Sequence, residues 1–372
     1  MKAQVVIIGG GLAGLTMGLG LLKEGIPTCI IEKDTYPRHK VCGEYVSNEV
    51  LPYLQTLGIN PHDAGAVSIS KLQCSSLYGK ALEVGLPLGG FGISRYKLDH
   101  LLCTQFVEKG GTLVQDQVVN VDFQDEVFSV TTSSGACYKT SLVLGTFGKR
   151  SKIDKALSRK FTQEKTPWLG VKMHYEAAWD SERVGLHNFE GGYCGISQVE
   201  EQRVNVCYLA HIDSFKNYKD LDLFREKVVR KNRYLDAFFD QAVPVFEEPL
   251  SISQISFHRK ERVHKHVLMC GDSASLIHPL CGNGMAMAIM GAHILSQAIA
   301  SHINNQSARS HLEKTYTQQW NEAFSTRLKW GRRLQDLFTS NMASKYGIAM
   351  MRYTPWMLKE FIKKTHGKPP VL

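Results

Sequence analysis

Residues 4–8 are a run of β-branched apolar side chains behind Gln4, the pattern of a strand buried on both faces. Gly9-Gly10-Gly11 follows. Helical spacing then runs over 12–24 and stops at Gly25, with Pro27 just beyond. Residues 28–32 are a second apolar run, so the chain opens as a strand-turn-helix-strand unit. Leu98, Leu101, Leu102 and Phe106 predict a helix over 97–109, ended by Gly110-Gly111. Residues 113–123 and 127–132 alternate as a strand pair, and 141–144 form a short buried strand. The stretch 168–210 changes character to strand-like runs at 170–175, 192–197 and 203–209. A charged amphipathic helix is expected over 221–233, a buried strand over 266–270 and a long helix over 284–303, with more helix behind it. Parts of a Rossmann-like α/β domain thus recur at the start, middle and end of the chain. A mostly antiparallel β domain is inserted between them, and helices close the C-terminus.

Composition changes this picture little. With 43% hydrophobic and 21% charged residues in 372, the chain is ordinary globular protein of two to three domains. Nine cysteines, an odd number with no C-x-x-C pair, predict reduced, mostly buried thiols and a cytoplasmic location. Residues 5–22 carry no charge and are long enough for a membrane span, but six of the eighteen are Gly, so a strand, turn and helix are expected instead. Charge matters more. Ten Lys/Arg against two acidic residues lie within 327–372, which holds nearly all of the net +9. A nucleic-acid binder would spread its charge over the body of the fold, so none is expected as a partner. A basic tail on a near-neutral body points to an anionic surface, either the inner face of a membrane or an acidic carrier protein. The histidines near 258–266 lack ligand spacing with Cys or carboxylates, and no metal is predicted.

Two constellations carry chemistry. Gly9-x-Gly11-x-x-Gly14 follows a strand and opens a helix, which permits a tight turn, close approach of a pyrophosphate and helix-strand packing. Glu32, at the end of the second run, can accept from both ribose hydroxyls, and an acid there argues against a 2′-phosphate. The second constellation is Cys270-Gly271-Asp272, leading through His278-Pro279 to Gly282-Asn283-Gly284. A carboxylate at a strand end and a second helix N-terminus suit a long cofactor: the acid can bond a polyol and the helix can face a developing negative charge.

These two motifs resemble the FAD-binding motifs of para-hydroxybenzoate-hydroxylase-fold flavoproteins. Pro37-Arg38-x-Lys40-x-Cys42-Gly43-Glu44-x-x-Ser47 and Ile93-Ser94-Arg95-x-x-Leu98-Asp99 resemble geranylgeranyl-reductase-like enzymes within that group. The resemblance covers roughly residues 1–300. It implies a discontinuous FAD-binding domain (1–65, 91–165 and 255–325), a substrate domain (66–90 and 166–254) and a basic helical segment (326–372). It also implies that Gly9, Gly11, Ala13 and Gly14 hold the pyrophosphate and Glu32 the ribose, with Lys33 and Arg38 beside it. Cys42, Gly43 and Tyr45 would line the flavin, and Arg95 would reach the pyrophosphate or ribityl chain. Val118 or Val119 would meet adenine and Asp272 the ribityl chain. Pro279, Gly282, Gly284 and Met285 would border the flavin ring.

Two departures stand out. Phe147 occupies the place of an Asp that, in the family, helps link FAD and NAD(P)H binding, so slow or substrate-gated reduction is expected. The Tyr-x-Trp-x-Phe-Pro signature of the reductases keeps only Tyr193. No Trp-x-Trp-x-Ile-Pro occurs, which argues against a halogenase. His278, Tyr193 and His174 are the candidate catalytic residues. His278 is a donor to flavin or substrate, or else a histidine bonded to backbone; Lys172 and His174 either point at substrate or are structural. The activity expected is FAD-dependent monooxygenation of an apolar aromatic or polyene substrate with NAD(P)H as donor. The alternative is reduction of C=C bonds in an isoprenoid or other lipid. The apolar residues Phe338, Ile348, Met350, Met351, Trp356, Met357, Leu358, Phe361 and Ile362, interleaved with the basic tail, predict a segment that caps the cavity or lies on an anionic surface.

Overall fold

A computed structural model describes residues 4–77, 79, 81–339 and 355–370. The opening runs form the middle of a six-stranded sheet. Val5–Ile8 lies between Thr28–Glu32 and Leu142–Gly145, all parallel, with Thr112–Gln115 beyond one and Val267–Met269 beyond the other. Val263–His264 adds an antiparallel edge. Residues of the three central strands are buried on both faces, which is why they read as continuous apolar runs. Leu12–Lys23 and Gly284–Asn304 pack against this sheet, and Arg309–Thr339 covers them with Leu312, Tyr316, Trp320 and Phe324. Gly284–Asn304 is the one described helix long and apolar enough to cross a membrane, and 72% of its most apolar window is buried here, as in a core helix.

A larger sheet contains nine strands, and its main path runs Val243–Pro244, Trp168–Glu176, Val204–His211, Gly192–Gln198, Arg183–Phe189, Val67–Ser75, Leu82–Gly92 and Tyr45–Ser47. Leu250–Ser253 pairs with Trp168–Glu176. All pairs are antiparallel except Arg183–Phe189 with Val67–Ser75. The period of two sorts the strand Trp168–Glu176. Leu169, Val171, Met173 and Tyr175 enter a core with Phe224, Leu235 and Phe238, while Lys172 and His174 turn to the opposite face, where Glu44 meets both.

Three sequence expectations need correction. The strand expected over 113–123 is two: Thr112–Gln115 joins the parallel sheet, and after Asp116 and Gln117 the chain turns into Val118–Gln124 of a separate three-stranded sheet. Asp116 causes the break, because its carboxylate accepts from Gln117 N and from the Ser133 and Ser134 hydroxyls. The helix expected over 221–233 splits into Leu221–Lys227 and Arg233–Phe239. The first part ends at Val228, a short turn Val229–Lys231 follows, and buried Asn232 ends that turn and caps the second part; its Nδ2 donates to Ser75 Oγ and to the carbonyl of Asn188 at 2.9 Å. Arg183–Phe189 was not expected as a strand, since His187 breaks its apolar pattern by bonding Ser75 inside the core at 2.9 Å.

At the C-terminus, Pro355–Thr365 lies on Leu82–Gly92, with Leu358 and Ile362 packed among Leu72, Cys74, Leu82 and Val84. Arg327 pairs with buried Glu49 at 3.0 Å, and Asn283 Nδ2 donates to the carbonyl of Thr365 at 2.6 Å, which ties the segment down. The side chains of Phe338, Trp356 and Met357, and residues Ile348, Met350 and Met351 altogether, lie outside the described residues. All nine cysteines are free, and all but Cys137 are at least partly buried.

Candidate functional site

Parallel strands bring their C-terminal ends to one edge, and there the chain opens a cavity of about 1030 Å³. The segments that leave those ends line it: Gly9 and Gly11, Glu32 and Lys33, Asp116 to Val118, Thr146 to Ser151, and Cys270 to Asp272. The antiparallel sheet and Pro355–Thr365 form the far wall. Eight Lys/Arg and four carboxylates line the nucleotide end, a balance suited to a diphosphate.

The glycine turn fits a dinucleotide group. Gly9 has φ +103°, and a side chain there would meet the Thr146 carbonyl at 2.7 Å. At Gly14 a Cβ would collide with the Gly9 backbone, so this residue sets helix-strand contact and does not line the cavity. Gly11 differs: a Cβ would meet only Arg95 Nη2 and Lys40 Nζ, at 3.9 and 4.0 Å, so the space above its backbone is open and faced by cations. No side chain caps the helix that Gly11 opens, nor the one that Asn283 opens, so both N-termini present free amides to the same cavity. These are the features FAD requires: a pyrophosphate cradle at Gly11 and Ala13 and, across the cavity, amides of Gly284 and Met285 for the flavin ring.

Glu32 accepts from Gly10 N at 2.7 Å, from Asp34 N at 3.0 Å and from Arg38 at 3.1 Å, which fixes its carboxylate at the cavity edge. Arg38 also pairs with Asp34. Arg95 and Lys40 share buried Asp99, at 2.7 and 2.8 Å. Burial works against these charges, yet the two cations outweigh it and hold the Asp99 carboxyl below the usual range, and Asp99 in turn raises Arg95. Asp272, Pro279, Gly282, Cys42, Gly43 and Tyr45 all line the cavity. Val118 does so too, whereas Val119 is 43% exposed and turns away, so of the two it is Val118 that can meet adenine.

Among the three candidate catalytic residues, only Tyr193 lines the cavity. His278 sits behind it, between the rings of Trp168, Phe257 and Tyr193, with Nδ1 accepting from Leu280 N at 3.4 Å. It caps the short turn Pro279–Cys281, burial lowers its pKa to about 3, and its buried Nε2 has no hydrogen-bond partner among the described residues. His174 is also displaced from the cavity: Glu44 Oε2 lies 2.7 Å from its Nε2, and Glu44 Oε1 lies 2.5 Å from Lys172 Nζ. Glu44 further accepts from Arg95 N at 2.7 Å, while Ser197 and Asn205 donate to the carbonyls of Gly43 and Cys42 at 3.2 Å. Polar side chains of three adjacent strands therefore hold residues 42–44 against the cavity, which is the work Lys172 and His174 do.

Several residues in or behind the cavity wall escaped the sequence reading. Lys260, almost fully buried, donates to the carbonyls of Lys149 and Asp272 at 2.7 Å and joins two of the loops; burial lowers its pKa to about 8. Lys152 and Lys155 add to the cationic end. Beyond Tyr193 the cavity continues as an apolar arm walled by Leu72, Leu186, Leu209, Leu276, Leu358 and Ile362. His366 lines it as well. Leu358 and Ile362 belong to the C-terminal segment expected to cap the cavity, and they do line it; the other positions come from distant segments that no local motif marks.

Comparisons with known proteins agree on the framework. The digeranylgeranylglycerophospholipid reductase 2 of Methanopyrus kandleri is 23% identical, over 91% of this chain and 87% of its own length. The FAD-dependent monooxygenase janM of Penicillium janthinellum is 25% identical, over 80% and 67%. In fold, the flavin-dependent brominase Bmp2 superposes with a TM-score of 0.81 at 16% identity, covering 97% of this chain and 93% of its own. PqsL of Pseudomonas aeruginosa, solved with 2-aminobenzoylacetate, gives 0.73 at 15% identity, over 92% and 98%. Residues 2–327 match the family described as the FAD binding domain, and this chain belongs to that family.

Proposed function

We propose that this FAD-dependent oxidoreductase is a monooxygenase that hydroxylates or epoxidises an apolar aromatic or polyene small molecule, with NAD(P)H as electron donor. One observation carries the reading: among the described residues of the apolar arm there is no Asp, Glu, Lys or Arg. Saturating a C=C bond requires a proton donor beside the new C–H bond. Burial raises the Tyr193 phenol well above its ordinary pKa and lowers His366 to about 4, so neither is a ready acid at neutral pH. When bound, FAD would supply the two-electron chemistry, taking hydride from the donor and passing electrons to dioxygen. The chain's own residues do the rest. The amides of Gly11, Ala13, Gly284 and Met285 would orient the group from both ends, and Asp272 would accept from its polyol. Leu358, Phe361 and Ile362 line the arm with apolar surface, which would disfavour water beside the reacting atoms.

The second reading, a C=C reductase of isoprenoid or other lipid chains, is favoured by the apolar lining of the arm and by the reductase relative. The discriminating experiment presents the FAD-loaded protein with panels of aromatic, polyene and prenyl compounds under air and under nitrogen. Substrate-dependent O₂ uptake equal to NAD(P)H consumption, with an oxygenated product and no matching H₂O₂, supports monooxygenation. Substrate-dependent oxidation of the reduced flavin without O₂ overturns it in favour of the reductase. The proposal includes a cytoplasmic protein whose exposed Lys363, Lys364 and Lys368 rest on an anionic surface beside the cavity.

A further inference from the structure

The walls of the apolar arm are not held alike. Leu72, Leu186 and Leu209 lie on strands paired on both sides, so moving any of them breaks a row of ladder hydrogen bonds. Leu276 lies two residues past Ala274, whose carbonyl accepts from Arg262. The helix Pro355–Thr365 is different. It carries Leu358 and Ile362 into the arm one turn apart, with Phe361 beside them against the ring of Trp330 at 5.2 Å. Among the described residues, no hydrogen bond or ion pair joins this helix to the rest of the protein before Thr365. The ties come at its C-terminal end, where Asn283 Nδ2 donates to the Thr365 carbonyl at 2.6 Å and Gly367 packs on the Glu49–Arg327 pair. One end is anchored, and apolar contact holds the rest. The outer face is polar: Glu360, Lys363 and Lys364 are exposed, Lys368 follows, and Glu360 pairs only with Lys363, at 2.8 Å.

A helix with one apolar face and a lysine-bearing opposite face suits a membrane interface. The lysines are exposed while the helix is docked, so they draw the protein to anionic headgroups without favouring a docked or a lifted helix. The apolar face decides between those states. Lifted into water, Leu358, Phe361 and Ile362 lose their cover; lifted at a lipid surface, they exchange the sheet for acyl chains. FAD, once bound, would occupy the polar end of the cavity, which leaves the side under the helix as the way into the arm. We propose that Pro355–Thr365 is a lid that pivots on residues 365–367 and opens when the protein rests on an anionic bilayer, so that an apolar substrate enters the arm directly from the lipid. The lid deepens the proposed function and rests on its anionic-surface contact.

Cys74 reports the opening. It is free, 4% exposed and packed under Leu358 and Ile362, and burial pushes its thiol up to about 12, so it reacts slowly until uncovered. The FAD-loaded full-length protein is treated with N-ethylmaleimide, and the label on Cys74 is followed by peptide mass spectrometry. Phosphatidylglycerol vesicles should raise the Cys74 rate at least about tenfold, because labelling tracks the open population. Phosphatidylcholine vesicles should not, and high salt should remove the effect. The double variant Lys363→Glu, Lys364→Glu should lose the acceleration but keep the vesicle-free rate and its FAD. Co-sedimentation with an unchanged Cys74 rate overturns the lid and leaves the surface contact standing, whereas failure to co-sediment defeats that contact and the lid with it. Equal acceleration by phosphatidylcholine or by soluble polyglutamate overturns the anionic bilayer as the trigger. A Cys74 as reactive in vesicle-free wild type as in protein lacking residues 355–372 shows that the helix covers nothing and also overturns the lid.

Discussion

Glu44 is fully buried, and so is Lys172, whose Nζ lies 2.5 Å from its carboxylate. Glu44→Gln keeps the shape but removes the negative charge, leaving an ammonium fully buried without its counter-charge. Removing one member of a buried pair costs about 3–5 kcal/mol, far more than the loss of an exposed pair. His174 and Arg95 N also lose a charged acceptor, so a value near the upper end is expected. Lys172→Met should cost less, because Glu44 keeps those two donors. The double variant should be more stable than the sum of the two losses by at least about 1 kcal/mol, since no charge is then left unpaired. Urea titrations with comparable slopes give all four corners of the cycle. The sign with pH is also fixed. Burial pushes the Glu44 carboxyl up, but Lys172 and His174 outweigh it and hold it below its ordinary 4.5. Its contribution is therefore complete above pH 4.5 and disappears as pH falls through the lower folded-state value. If both single variants lose less than about 1 kcal/mol, or the losses simply add, the buried charges are not coupled as described.

Glu32→Ala should weaken FAD by roughly 1.5–3 kcal/mol, the worth of hydrogen bonds to a charged group, and fluorescence titration with FAD measures it; unchanged affinity refutes the ribose assignment. His187, His278 and His366 have folded-state pKa values of about 3, 3 and 4 because burial disfavours their charge. The unfolded chain takes up those protons first, so stability should fall as pH drops below about 6.5, by up to about 1.4 kcal/mol per histidine per pH unit. A urea midpoint that stays flat from pH 7 to 5 would contradict their burial. Phe147 lines the cavity where an acid was expected, so stopped-flow reduction by NADH or NADPH should be slow without substrate; fast reduction counts against that. The exposed lysines of residues 363–368 should give salt-sensitive co-sedimentation with anionic vesicles at low ionic strength, each contributing about 1 kcal/mol, and deletion of 355–372 should abolish it. Equal binding after the deletion makes the segment a cap only.

The sequence by itself determined the nucleotide half. Continuous apolar runs of β-branched residues can be buried only on both faces, and a Gly-x-Gly-x-x-Gly turn before a helix can serve few ends. The first strand, its helix, the position of Glu32 and the second open helix at Gly284 were therefore legible from local pattern, with bounds within two residues. Tertiary structure alone decided which polar residues meet the cavity. Lys172, His174 and His278 look like candidates on a strand face or beside a proline, but a buried carboxylate claimed the first two and a short turn claimed the third. Asn232 and Asp116 broke a helix and a strand for the same reason, since their partners lie far away or across a turn in the chain. Of the apolar arm, the wall given by Leu358, Phe361 and Ile362 was legible as a capping segment, whereas Leu72, Leu186, Leu209 and Leu276 were not, because they come from strands and a loop that no local period connects. Backbone geometry at a turn is a property of neighbouring residues, whereas the pairing of a buried polar atom depends on which distant group folding brings within about 3 Å of it.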